Sequence, residues 1–333
     1  MIRASKRTMW LGALVLAASL AAACSSHAPG ATGQASPSTS NGTWVVGYSQ
    51  SNNAEPYRAQ LNIQLQYYIK QYKNLRLLPI TDAHQDSAVQ VSQVQNFIQR
   101  RVNILIVSPN EPAPLAAAVQ QACAAHIPVI ILDRSVNTSC YSTFIGGDNL
   151  VAGQLAGQAA LQALPNGGNV VELRGLMSDK PQIDRDAGFR SEIAKNPKIH
   201  IIVSRDAAWL KENAEQDMQQ WLQRYPKIDL VYAENDPMAL GAQLAAQAAG
   251  RAKQMKFIGT DGLAVPDGGI RAVQLGELSN TFIYPTCALQ AAQIAEKLSL
   301  HQPVVHSWTL SITPVTPTNA AALYAQYNDS NFR

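Results

Sequence analysis

Residues 127–136 read IPVIILDRSV. Four consecutive aliphatic residues between a proline and an Asp-Arg pair describe a short strand buried on both faces and stopped by charge. The figure recurs: DLVYA (229–233) runs into Glu234-Asn235-Asp236, and MKFIG (255–259) into Thr260-Asp261-Gly262. Working outward, strand runs are expected at 44–48, 75–80, 104–108, 129–132, 169–173, 199–204, 230–232, 256–259, 280–283 and 304–312. Between most of them the apolar residues fall at helical spacing, as with Leu61, Leu65, Tyr68 and Tyr72 in 60–72, or Met218, Trp221, Leu222 and Tyr225 in 214–225. Such alternation predicts an α/β protein with parallel sheets covered by helices on both faces. It runs through two halves of similar make-up, so two lobes are expected.

The 333 residues suffice for two lobes, and 47% apolar against 15% charged residues excludes a collagen-like or wholly disordered chain. Arg3, Lys6 and Arg7 lie in the first ten residues, and no acidic residue precedes Glu55. Without those three, 23 basic residues face 23 acidic ones, and a neutral chain argues against nucleic acid as partner.

Residues 1–23 combine the basic stretch, an apolar run from Met9 to Ala23 and a small-residue end, which reads as a secretory signal peptide. The run is shorter than the roughly 20 residues that cross a bilayer. Cys24 follows directly, and the arrangement resembles the bacterial lipobox, although Leu20 stands four rather than three positions before it. Lipidation of Cys24 is expected, an ordinary cleaved signal being the alternative. Residues 24–42 then form a flexible tether rich in Ser, Gly and Pro. The protein is expected to be exported and held on the cell membrane, facing the periplasm or exterior. Cys123 and Cys140 flank one strand, and an oxidising compartment can pair them or leave two free thiols. Cys287 reads as a buried free thiol, and no spacing suggests a metal.

In open parallel sheets ligands sit beyond the carboxyl ends of the strands, so the polar residues after each run are the candidates. Asp133-Arg134, Glu234-Asn235-Asp236 and Thr260-Asp261 place carboxylates, an amide and a guanidinium at three strand mouths. Such groups each engage two neighbouring hydroxyls, which suits a polyhydroxylated ligand. The plainer reading of an acidic residue at such a place is a helix cap, and Asp236 before Pro237 is expected to be one. The first strand leads into Ser49 to Arg58, a polar loop whose Pro56 marks the first helical turn.

Taken together, GYSQSNNAEPYR (47–58), IPVIILDRSV, GNVVELRG (168–175), IDRDAGF (183–189), VYAENDPMALGA (231–242) and FIGTDG (257–262) resemble the periplasmic sugar-binding proteins of ABC transporters. The likeness is to the ribose-binding type, and within it to the galactofuranose-binding branch, over about residues 44–320. It implies the type I periplasmic binding protein fold, two Rossmann-like lobes joined by a three-segment hinge. The lobes would comprise 43–147 plus 285–312, and 148–284 plus 313–333. Carried onto matching positions, the ligand contacts fall at Glu55, Tyr57, Arg58, Asp133, Arg134, Arg185, Trp209, Asn235, Asp261 and Tyr284. Tyr57 and Trp209 would cover the faces of a sugar ring. Arg58, which the galactofuranose branch shares and ribose binders replace by an aromatic, favours a sugar with an additional hydroxyl or exocyclic arm. Tyr284 stands where an amide or carboxylate is expected.

The resemblance implies a monomer that captures a monosaccharide and delivers it to an ABC permease. A polyol or other solute as ligand, and a membrane sensor as partner, stay open. Other readings of single residues are Arg185 as a surface ion-pair partner, Trp209 as a hydrophobic staple and Arg134 as a lid over Asp133. An enzyme lacks support: no dinucleotide, P-loop, zinc-protease or nucleophile-elbow motif occurs, no cofactor is implied, and the six His residues are dispersed. A transcription factor with this fold would need a basic DNA-binding helix pair where the signal stands. Asp133→Ala is expected to abolish binding and leave folding intact.

Overall fold

The computed structural model of the protein describes residues 42–332. The signal expected over 1–23, Cys24 and tether residues 25–41 lie outside the described residues.

The first half builds β1 (Trp44–Gln50), α1 (Pro56–Ile69), β2 (Leu75–Leu77), β3 (Thr81–Asp82), α2 (Ser87–Gln99), β4 (Ile104–Ser108), α3 (Ala116–Ala124), β5 (Val129–Leu132) and β6 (Thr143–Gly147). The second builds α4 (Asn149–Ala163), β7 (Gly168–Arg174), α5 (Lys180–Ile193), β8 (Ile199–Asp206), α6 (Lys211–Arg224), β9 (Leu230–Ala233), α7 (Asp236–Ala248), β10 (Lys256–Ile258), α8 (Gly269–Leu275) and β11 (Thr281–Ile283). The chain ends through α9 (Ala288–Ser299), β12 (Ser307–Leu310), β13 (Thr313–Val315) and α10 (Ala320–Tyr327).

One sheet runs β2-β1-β4-β5-β6-β12, all parallel, with β3 pairing β1 beyond the end of β2. The other runs β8-β7-β9-β10, also parallel, and single bridges add β11 beside β10. Every residue of β4, β5 and β9 is buried, which is why these strands read as unbroken apolar runs. This is the α/β architecture of two parallel-sheet lobes expected from the alternation.

Three differences from the expected elements have local causes. The run 75–80 stops at Leu77 and resumes at Thr81 around Pro79, which has no N–H to give the ladder. α1 begins at Pro56, as expected, using the fixed φ of proline in its first turn. The run 304–312 narrows to β12, and its last residues cross to β13, which lies antiparallel on β11. β6 was not anticipated, because two of its five residues are glycine. A Cβ on Gly147 would stand 2.3 Å from the Tyr284 ring, so the glycine is needed for that ring and not for the strand.

The chain passes between the sheets three times, at residues 147–149, 283–288 and 310–313. The Asp148 N–H donates to Leu310 O, and Ile283 pairs with Thr313, so the crossings lie side by side. Cys123, at the end of α3, is joined to Cys140 by a disulfide with Cα atoms 6.1 Å apart, and Cys287 is a buried free thiol. No helix of the described residues is long and apolar enough to cross a membrane.

Candidate ligand-binding site

On the first lobe, β1 opens into a loop whose Asn52 clasps Glu55 at both ends: Asn52 Nδ2 donates to Glu55 Oε1 at 2.7 Å, and the Glu55 N–H donates to Asn52 Oδ1 at 3.1 Å. With Pro56 starting α1, Tyr57 and Arg58 stand at the mouth of the strand. Arg58 is 2% exposed; Nη2 lies 2.7 Å from Asp133 Oδ2, Nη1 donates to Ser108 Oγ at 2.6 Å, and Nε is 3.8 Å from Glu55 Oε2. Asp133 follows β5 with φ of +64°, a left-handed turn that aspartate tolerates better than most residues. Burial pushes the Asp133 carboxyl up, but Arg58, Arg134 and Arg185 together hold it below the usual range. Arg134 Nη2 lies 3.2 Å from Glu55 Oε1, and its Nη1 donates to Asn110 O.

On the second lobe, Arg185 projects from α5, donating from Nε to Asn149 Oδ1 at 2.9 Å and from Nη1 to Glu234 O. Burial opposes its charge, while Tyr284, Asp261 and Asp133 favour it and leave it firmly protonated. No carboxylate pairs with it directly among the described residues; its guanidinium lies 4.7 Å from the Tyr284 ring centre and 5.5 Å from that of Trp209. Trp209 adopts φ of +68°, uncommon for a bulky residue, and its ring lies where a Cβ on Gly175 would be, 2.0 Å from a ring carbon. Asp261 has φ of +136°, and burial together with nearby Asp236 raises its carboxyl well above the usual range, against the pull of Arg185. The Tyr284 hydroxyl accepts from the Gly147 N–H and from Asn149 Nδ2, both at 3.1 Å.

Tyr57, Arg58, Asp133, Arg134, Arg185, Trp209, Asp261 and Tyr284 line one cavity, with Pro181 added. The cavity is about 20 Å³, room for about one water and far below the roughly 300 Å³ at which ligand clefts begin. A ring-sized ligand therefore requires the two lobes or the arginine side chains to move apart. The other two expected contacts stand elsewhere. Glu55 lies behind Arg58 and Arg134, its carboxylate spent on them and on Asn52. Asn235 is outside the lining: Oδ1 accepts from Met238 N at 3.0 Å and Nδ2 donates to Trp209 O at 3.0 Å. Asn235 is thus the cap of α7, and Asp236, expected in that role, instead accepts from Thr281 Oγ1 at 2.6 Å and the Gly262 N–H at 2.7 Å. Nor is Arg185 a surface pair, Trp209 a mere staple or Arg134 a lid over Asp133, the Arg134 nitrogens being taken by Glu55, Asp179 and the Asn110 carbonyl. All three are buried and interlocked.

Asn149 and Asp179 escaped the sequence reading. Asn149 sits in a crossing segment rather than at a strand mouth, and Asp179 is separated from the end of β7 by Gly175–Ser178. Among the described residues no group of three or more His, Cys, Asp or Glu side chains could hold a metal ion.

Burial raises Glu172 to about 7, against the pull of Ser204 and Arg190, and raises Asp179 and Asp236 to about 6. Unfolded carboxyls titrate near about 4. Between there and pH 6–7 the folded protein holds protons that the unfolded chain has lost, so these groups make stability fall as pH rises through that window. Asp133, lowered, acts in the opposite sense only below the window. The thermal midpoint is expected to be higher near pH 5 than near pH 8 on the order of a few degrees. A midpoint climbing steadily over that range would contradict the assignment.

The periplasmic binding protein domain matches residues 46–298 of the chain, most of its length. This protein is a member of the periplasmic binding protein family. The ribose import binding protein of Bacillus subtilis is 30% identical to this binding protein over 251 residues, covering 75% of this chain and 79% of that one. The galactofuranose-binding protein of Escherichia coli is 32% identical over 215 residues, covering 62% and 66%. Among solved structures, the fructose-binding periplasmic domain of a hybrid two-component system superposes with a TM-score of 0.82 at 35% identity, covering 86% of this chain and 95% of that one. Proteins of this family bind solutes and are not enzymes, and the family places this binding protein outside the cytoplasm.

Proposed function

We propose that this binding protein captures a monosaccharide between its two lobes and delivers it to an ABC importer, as a monomer anchored in the membrane through a lipid on Cys24. The ligand is a hexose, in pyranose or furanose form, or a related aldose. One observation carries this reading: a buried cavity lined from both lobes in which Arg58, Asp133, Arg134, Arg185 and Asp261 converge beside the Trp209 and Tyr284 rings. Charged forks and carboxyls address adjacent hydroxyls, while aromatic faces cover the apolar side of a sugar ring. The named ligands of the relatives, ribose, galactofuranose and fructose, belong to that class. The lobes, 43–147 with 285–312 and 148–284 with 313–333, hinge about the three crossings, and the closed form is what the permease recognises.

A second reading keeps the ligand and changes the output to a membrane sensor, which the likeness to a domain of a hybrid two-component system favours. Loss of sugar uptake on deletion of the gene supports the importer; unchanged uptake with loss of a transcriptional response supports the sensor.

The reading is tested by a thermal-shift screen of the purified protein against pentoses, hexoses able to adopt furanose forms, polyols and sugar acids. A ligand at about a thousand times its dissociation constant adds roughly 4 kcal/mol to the folded state. A clear rise for one aldose or ketose is expected; a rise only for polyols or acids, or for nothing in the panel, contradicts the monosaccharide assignment.

A further inference from the structure

Asp179 occupies the N-cap position of α5, where an aspartate ordinarily accepts from the N–H groups of the next turn. Its carboxylate makes no such bond. It is fully buried, and Oδ2 instead accepts from Arg134 Nε at 3.0 Å and from Trp209 Nε1 at 3.1 Å. Arg134 follows β5 in the first lobe, whereas Asp179 and Trp209 belong to the second, so the ion pair bridges the cleft. Two further bonds span the same gap, Gln85 Nε2 to Ala208 O and Ser178 Oγ to Glu111 Oε1, both at 3.1 Å, but neither joins charges.

Arg134 needs no help from the second lobe to hold its place. Glu55 and the Asn110 carbonyl already engage two of its nitrogens from its own lobe. Nε is the nitrogen that finds a carboxylate only across the cleft. On the other side, Asp179 has given up capping its own helix, and its bond to the indole pins a side chain whose backbone is in the left-handed region. The result is a single contact that locks an arginine and an aromatic wall of the cavity at once.

We propose that Asp179 is a closure latch, a positioning residue whose carboxylate grips Arg134 across the cleft and sets the balance between closed and open lobes. This goes beyond the sugar-binding reading, because the latch acts on the free protein. Closing buries both charges, and such a pair does not greatly favour closure by itself, since desolvation offsets the attraction. What it does is make closure depend on the partner: with Asp179 neutralised, the closed form buries the Nε side of Arg134 against no charge, and that is costly. Asp179 therefore also raises apparent affinity, because a ligand that needs the closed form binds in proportion to the closed fraction.

The test is Asp179→Asn, which keeps volume and an oxygen for the Trp209 N–H. Spin labels are placed at Lys70→Cys and Lys253→Cys, both exposed and on different lobes, and the interlobe distance distribution is measured by electron double resonance without any sugar. The closed-to-open ratio is expected to fall at least roughly tenfold in Asp179→Asn. In an Arg134→Met background the same substitution is expected to change the ratio little, because the coupling is between the two side chains. An unchanged distribution in Asp179→Asn overturns the proposal, and so does equal opening in both backgrounds, which would indicate a local effect on α5. Since no ligand is used, failure of the sugar assignment leaves this result standing, and the reverse holds too.

Discussion

Asp133→Ala is expected to abolish ligand binding and, at the same time, to destabilise the protein by about 3–5 kcal/mol. The second half of this outcome departs from what the sequence suggests, which is a binding group that can be removed with the fold intact. In the structure Asp133 is the close partner of Arg58, 2.7 Å away, and both are buried. Truncating the carboxylate strands the guanidinium among Tyr57, Ser108 and a Glu55 oxygen 3.8 Å distant. A buried charge left without its partner is among the few single changes that cost so much. In a protein of this size the thermal midpoint should drop on the order of 10 °C. Asp133→Asn, which preserves shape and one acceptor, should retain more stability while still losing most of the affinity. Calorimetric titration and thermal unfolding of both variants read the two effects separately. Wild-type affinity in either variant would remove Asp133 from the site.

Gly175→Ala is expected to weaken binding by more than about tenfold through a side chain that it does not itself present to the ligand, at a stability cost of about 1–3 kcal/mol. The new methyl would fall 2.0 Å from a carbon of the Trp209 ring, closer than any atom can approach. The indole must therefore leave its place over Arg134 and Arg185, 5.8 and 5.5 Å from its ring, and surrender its bond to Asp179. Gly175 is not in the left-handed region, so the cost is steric rather than torsional. Trp209→Ala in the same background should then cost little more, since the two changes act on one contact. Additive losses of affinity would show that the glycine works through something other than the indole.

How much of this was legible beforehand depends on which force decided each feature. β4 and β5 were readable to the residue because they are buried on both faces, which leaves nothing but aliphatic side chains to mark them. β6 is invisible because it ends in two glycines, of which Gly147 answers to Tyr284, a ring 137 residues away that approaches it only in three dimensions. The strand-mouth rule found Asp133, Arg134 and Asp261, since each lies within three residues of a strand end. It failed at Asp179, where Gly175–Ser178 intervene, and at the pair Asn235-Asp236, where the backbone of Asn235, extended at φ −141°, hands the cap to the first residue and leaves the second to tie loops together. Sequence alone cannot rank two adjacent capping residues; their dihedral angles do. The disulfide between Cys123 and Cys140 was one of two open outcomes, and only the approach of their Cα atoms decides it.

The cavity also explains why its arginines are tolerated. Three guanidiniums share a volume that admits barely a water, yet Asp133 and Glu55 draw two of them, and Asp179 reaches one from the far lobe. Arg185 rests on Tyr284 and Trp209 and donates to an amide and a carbonyl. A ligand with several hydroxyls can replace part of this network bond for bond, which a less polar molecule cannot.

A crystal structure of the protein with the sugar that gives the largest thermal shift decides whether the cavity between the lobes is the sugar site. One sugar is expected enclosed between the lobes, hydrogen-bonded to Asp133, Arg58 and Arg185, with the Trp209 ring against one face. A sugar seated elsewhere, for instance in the 600 Å³ groove beside Lys253 and Phe257, with the Asp133 network undisturbed, would contradict it.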